Sequence, residues 1–252
     1  MRIMPLFAAV LLCWMAAPAA HSQSTTQYLV ALPQIAYGGG WETKIVISNV
    51  TATPQPVTLN YFDTNGNPLM VPFNGVGATQ STLNIPANGQ QEVVPDFQGG
   101  TTVVGWAGIA NPNTSLKIQG VFLWQNGATA QTQAVAPLVS LSDQGCIIPL
   151  PATNVLTMPY DSTGAPATPN SGYAFANTTS TAVTMTLKFY DQSGNNIGTD
   201  TEQIPAFGHT QFVVTDKVPA LAGTKGTMQI NGTGVVPLGF KFFGSVFTTW
   251  LP

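Results

Sequence analysis

The sequence predicts an all-β protein, two tandem antiparallel β-sandwich domains behind a signal peptide. Three observations carry that expectation. Short alternating apolar runs are bounded throughout by Gly, Pro, Asn or Asp, one long block of sequence occurs twice, and the chain opens on an apolar leader.

The leader is read first because it is not part of the fold. Arg2 supplies one positive charge, Ile3–Ala20 carries none, and the stretch ends in Ala16-Ala17-Pro18-Ala19-Ala20. A charged start, an apolar middle and a small-residue end make a secretory signal peptide of residues 1–22, cut between Ala19 and Gln23. The competing reading is an uncleaved anchor, since eighteen apolar residues just reach across a bilayer. The small-residue end and Pro5 favour cleavage. Cys13 sits between Leu12 and Trp14, both too bulky for a lipoprotein site. The expected location is therefore secreted or cell-surface, with the periplasm as an alternative and no membrane span after cleavage.

Only 7% of the residues are charged, where about 25% is usual. Beyond Arg2 there are six Lys and no Arg against ten acidic residues. A weakly acidic chain without arginine is unsuited to nucleic acid, which is held by Lys and Arg at phosphates. Cys146 is the single cysteine after processing. It reads as a small buried hydrophobe beside Ile147 and Ile148, with pairing between chains as the alternative.

Expected strands include Lys44–Ser48, Val57–Phe62, Val103–Ile109, Leu116–Trp124, Met185–Tyr190 and Leu238–Phe243. Asn49–Leu69 aligns without a gap on Asn177–Ile197, with eight identities that include Asn49/Asn177, Leu59/Leu187, Asp63/Asp191 and Gly66/Gly194. IPANGQQEVV (Ile85–Val94) then matches IPAFGHTQFV (Ile204–Val213), and Gly105 and Gly120 match Gly226 and Gly239. Blocks repeated in one order mean a duplicated domain, expected at 27–140 and 146–252. The stretch Ala128–Gly145 reads as a linker or an exchanged strand.

Each repeated block has a physical meaning. Asp63–Asn67 and Asp191–Asn195 are hairpin turns in which Gly supplies positive φ and Asp accepts from backbone N–H groups two residues on. Val57, Leu59 and Tyr61 face a core, as do Met185, Leu187 and Phe189, while Thr58, Asn60 and Phe62 face the other way. Asp216–Leu221 is expected to hold one helical turn.

Gly38-Gly39-Gly40-Trp41-Glu42-Thr43, the Asp-x-x-Gly-Asn hairpin and the Ile-Pro-Ala-x-Gly turn resemble a segment that recurs in secreted proteins of acidobacterial type. The resemblance reaches Val213–Ile230 and Leu238–Pro252. It implies export and an immunoglobulin-like sandwich, and it supplies no catalytic residues.

Catalytic constellations are missing from the sequence. His209 is the one firm histidine after processing, His21 lying at the cleavage site, so no nucleophile–base pair and no zinc set can be drawn. Glu42, Glu92 and Glu202 are isolated acids without the facing partner that a glycosidase needs. Asp63–Asn67 places its Gly for a hairpin and not for an EF-hand. Gly38–Gly40 lacks the Lys and the helix of a phosphate loop and reads as a flexible approach to Trp41.

The expectation is thus a non-catalytic extracellular binding or structural module without metal or cofactor, its partner another extracellular protein or a polysaccharide. A carbohydrate-binding or weakly carbohydrate-active protein is the alternative. One contact surface is expected. Aligning Gly120 with Gly239 sets Phe122 opposite Lys241. If the lysine marks the outer face of its strand, Phe122 and Trp124 point outward and join Phe62 in an exposed aromatic patch.

Overall fold

The structure, a computed structural model, describes residues 30–96, 100–110, 115–125, 131–137, 139–140, 155–164, 170–243 and 246–250. The leader, Cys13, His21 and Cys146 lie outside the described residues. Among the described residues no helix is long and apolar enough to cross a membrane.

The first half contains β1 (Val30–Tyr37), β2 (Trp41–Asn49), β3 (Gln55–Phe62), β4 (Val71–Phe73), β5 (Val76–Ala78), β6 (Gln80–Ile85), β7 (Gln90–Val93), β8 (Val103–Ala110), β9 (Leu116–Gln125), β10 (Gln131–Pro137) and β11 (Val139–Ser140). The second contains β12 (Val155–Asp161), β13 (Asn170–Asn177), β14 (Val183–Asp191), β15 (Asn196–Ile204), β16 (His209–Val213), β17 (Lys225–Asn231), β18 (Val235–Phe243) and β19 (Val246–Trp250). Between β16 and β17 lie a helical turn α1 (Val214–Lys217) and a 3-10 turn (Pro219–Leu221), close to the turn expected at Asp216–Leu221. The stretch read as a linker or exchanged strand carries β10 and β11, and both pair inside the first half.

The strands pair antiparallel, and among the described residues no sheet mixes strands of the two halves. The order β1-β8-β3-β6 matches β12-β17-β14-β15, and β10-β9-β2-β7 matches β19-β18-β13-β16, with β11 and the β4–β5 hairpin as additions to the first half. Counting these strands one to eight, the second pairs with the fifth and the third with the sixth, as in an immunoglobulin domain. The outer strands differ. The first lies beside the sixth, the fourth beside the third and the seventh beside the second, three departures from the ABED/CFG order. The turn after β1 accounts for the first of these differences. Gly38, Gly39 and Gly40 all adopt positive φ, and the Trp41 N–H donates to the Gly38 carbonyl at 2.9 Å, which sends β2 into the facing sheet. These glycines form a tight turn, where the sequence suggested a loose approach.

Alternation sets the core. Val57, Leu59 and Tyr61 of β3 and Met185, Leu187 and Phe189 of β14 are buried, while the residues between them are half-buried or exposed. The second half's main cluster draws only on its own residues, from Leu156 to Val235. The first half's cluster also takes in Ala174, Leu238, Phe240 and Phe247 of the second. β1 is buried along its whole length because β13 and β18 cover the side that its own sandwich leaves open. β10 runs alongside β19.

Candidate functional site

The seam between the halves brings together most of the unusual side chains, starting from a turn. In Asp63–Asn67 the Asp63 carboxylate accepts from the Asn65 and Asn67 N–H groups, both at 2.8 Å, and Gly66 takes φ 84°. A Cβ on Gly66 would run into the Ala206 carbonyl oxygen, so this turn lies flat against the Ile-Pro-Ala-Phe-Gly turn of the second half. The Thr64 carbonyl accepts the His209 backbone N–H at 3.2 Å. Phe207 adopts φ 51°, a conformation an aromatic residue rarely takes. Its ring stacks on Phe62 at 5.4 Å, Phe62 stacks on Trp106 at 4.9 Å, and the Trp106 indole N–H donates to the Phe207 carbonyl at 2.7 Å. Asn88, at the same place in the first half's turn, takes φ 53° with the matching hydrogen bonds, so the turn itself sets this shape and the second copy places a ring on it.

Behind the turn runs a chain of neutral polar groups. The Gln34 amide N–H donates to the Gln211 side-chain oxygen at 2.8 Å, and the Gln34 oxygen lies 2.8 Å from His209 Nε2. His209 is 3% exposed. Burial pulls its imidazole from the ordinary 6.5 down to about 4, against a smaller opposing effect of the Pro33 backbone.

Beside this chain lies a cavity of about 250 Å³. Trp41, Phe122, Tyr173, Phe212, Phe240 and Phe242 supply its rings, and Gln34, Gln211 and Thr102 its polar side chains. Phe122 meets Phe240 edge-on at 5.4 Å, and Phe240 and Phe242 stack at 6.1 Å. The Tyr173 hydroxyl donates to the Pro159 carbonyl, and burial pushes its pKa upward. Among the described residues no carboxylate, lysine, histidine or cysteine lines the cavity, and its side-chain hydroxyls are those of Thr102 and Tyr173.

The exposed patch expected from Phe62, Phe122 and Trp124 does not form. Phe62 is half-buried in the stack at the seam, Phe122 is fully buried, and Trp124 is half-buried and stacked on Trp41 at 5.9 Å. Phe62 stands in one sheet and the other two in the facing one. The error lies at Lys241. Phe122 pairs with Thr43 and shares the inner face of Ile45 and Ile47. Gly120, on that face, sits where a Cβ would come 2.6 Å from Leu32. In the second half a Cβ on Gly239 would strike Trp250, so Lys241 points inward too. A lysine is buried only when paired. Here the Lys241 ammonium, 4% exposed, sits 2.6 Å from the Asp161 carboxylate and donates to the Asp161 carbonyl at 3.2 Å. Burial alone would raise the Asp161 carboxyl, but hydrogen bonds from Lys241 and Thr163 hold it down at about 2.

Two of the isolated acids, Glu92 and Glu202, have structural partners. Glu92 pairs with Lys44 at 3.1 Å, Glu202 pairs with Lys217, and Lys217 also lies 3.5 Å from Asp200. Among the described residues no three His, Cys, Asp or Glu side chains cluster to hold a metal ion. Sequence reasoning missed the role of Asn49 and Asn177. Both are buried, and each amide donates to three backbone carbonyls, Thr53, Ile85 and Pro86 in one copy and Thr181, Ile204 and Pro205 in the other. Their identity in the aligned blocks was the available signal. The aromatic exchange of Asn88 for Phe207 in the repeated turn was the signal for the seam. No protein-family model, curated protein or solved structure matches the chain.

Proposed function

We propose that this chain is a secreted, non-catalytic binding module of two tandem immunoglobulin-like sandwiches, spanning residues 27–140 and 146–252, which act as one rigid piece. Export rests on the leader of residues 1–22, and the pairing of modules on the repeated strand order. The observation that carries the binding reading is the seam cavity, which is concave and ring-lined and whose described lining holds no side chain charged at neutral pH. The shared core of Phe240 and Phe247 with the first half supports rigidity, because the modules cannot part without exposing it.

The carbohydrate-binding alternative draws on the half-buried Trp41–Trp124 stack, since sugars pack on indole faces. A screen of the mature protein against neutral small molecules and glycans, with hydrolase substrates in parallel, separates the readings. Retention of a compound without turnover supports the binding module. Turnover that disappears on Glu92→Gln or Glu202→Gln overturns it.

A further inference from the structure

We infer that the seam cavity is a binding site for a small, uncharged, flat aromatic molecule carrying a single hydrogen-bonding group, held between the two halves. The inference rests on the binding-module reading and names its ligand class. Size comes first. An apolar cavity of roughly 150 Å³ admits benzene, so about 250 Å³ has room for a fused bicyclic ring. Charge comes second. An ion entering this lining meets no counter-charge among the described residues and loses its hydration uncompensated. A sugar meets the same difficulty at each hydroxyl, because the side-chain partners are few and Gln34 is already engaged with Gln211 and His209.

The rings set the shape. Phe240 and Phe242 present a stacked pair at an interplanar angle of 20°, and Phe122 stands across Phe240 at 82°. Faces and edges together accept a flat aromatic guest in offset or edge-on contact. Gln211 is exposed at one side of the cavity and leaves its amide N–H₂ to address one polar group of the guest. Trp41, Phe122 and Val104 come from the first half and Phe212, Phe240 and Phe242 from the second, so the guest touches both and favours their docked arrangement.

The test uses the mature full chain, with N-phenyl-1-naphthylamine as a fluorescent probe and indole as competitor. The probe gains fluorescence on binding and indole displaces it. Val104→Trp, which fills the cavity from a half-buried position, weakens both by about tenfold or more. Gln211→Leu, which also takes the acceptor from the Gln34 amide and is therefore checked for folding by thermal unfolding, weakens indole about threefold or more and the probe less. An unbound probe, or affinities unchanged in both variants, overturns the site. Displacement by benzoate or cellobiose as effective as by indole overturns the ligand class and leaves the binding-module reading standing. Failure of every compound to be retained removes both.

Discussion

The two halves share a strand order and differ in self-sufficiency. The second half's main core closes with its own residues, whereas the first half's core is completed by Ala174, Leu238, Phe240 and Phe247 from its neighbour. The same contrast recurs in the repeated turns. A Cβ on Gly66 would collide with Ala206, but one on Gly194, in the matching turn of the second half, would meet open space. The stacking residues follow suit. Phe62 and Trp106 of the first half correspond to Tyr190 and Thr227 of the second, and Phe207 of the second to Asn88 of the first. The two halves therefore share one strand order, and a handful of aromatic differences at aligned positions form the joint at one end of each.

The largest effect that could break this contrast is separation. Residues 146–252 alone should keep a cooperative urea transition, while residues 27–140 alone should lack one and bind hydrophobic dye, because their core loses its lid. A cooperative transition for 27–140 would refute the asymmetry. Next, Phe240→Ala should cost about 3 kcal/mol or more. The loss should show in hydrogen exchange at β1 and β9 of the first half and not at β14 of its own. Protection lost mainly in β14 would place Phe240 in the wrong core.

A third effect, about 3 kcal/mol, is pH-dependent. His209 is held neutral in the folded chain with its pKa lowered from 6.5 to about 4, so the unfolded chain binds the extra proton between those values. The histidine's contribution is complete above pH 6.5, falls as pH drops toward 4 and levels off below. His209→Gln should flatten that part of a stability profile measured by urea unfolding, and an unaltered slope would exclude His209 as its source. The smallest effect compares the two turn glycines. Gly194→Ala should cost about 1 kcal/mol, for positive φ alone, and Gly66→Ala about 3 kcal/mol because the Ala206 carbonyl must also shift. Equal losses in thermal unfolding would mean that the first turn is not pinned.

Much of the architecture was legible in the sequence because its causes are local. Alternation along Val57–Tyr61 and Met185–Phe189 depends on strand geometry, and the Asp63 and Asp191 turns carry their own hydrogen bonds within five residues. The candidate site was not legible, because its causes are distant. The direction of Lys241 is decided by Asp161, eighty residues earlier, and without that partner a lysine at this place reads as solvent-facing. Phe62 was placed on the correct side of its strand, but the cover over that side comes from Phe207. Gln34 reads as an ordinary polar residue of β1 until Gln211 and His209 are brought against it.

The course of β10 beside β19 has a consequence for the margins of the sheets. Each is the last strand of its sheet, and an open strand rim is a template on which another chain can add. Here the two rims face each other. Of the other rims, on β6, β7, β11, β12, β15 and β16, four carry Gln80, Thr82, Gln90, Gln91, Glu92, Asp200, Glu202 and Gln211 along the strands β6, β7, β15 and β16. Acid and amide side chains at such places discourage further strand addition. In a chain with so few charged residues, the placement of four of its ten acids matters more than their number, since Glu92, Asp200 and Glu202 stand on such rims and Asp96 clasps the tip of the β4–β5 hairpin at the Asn74 and Gly75 N–H groups.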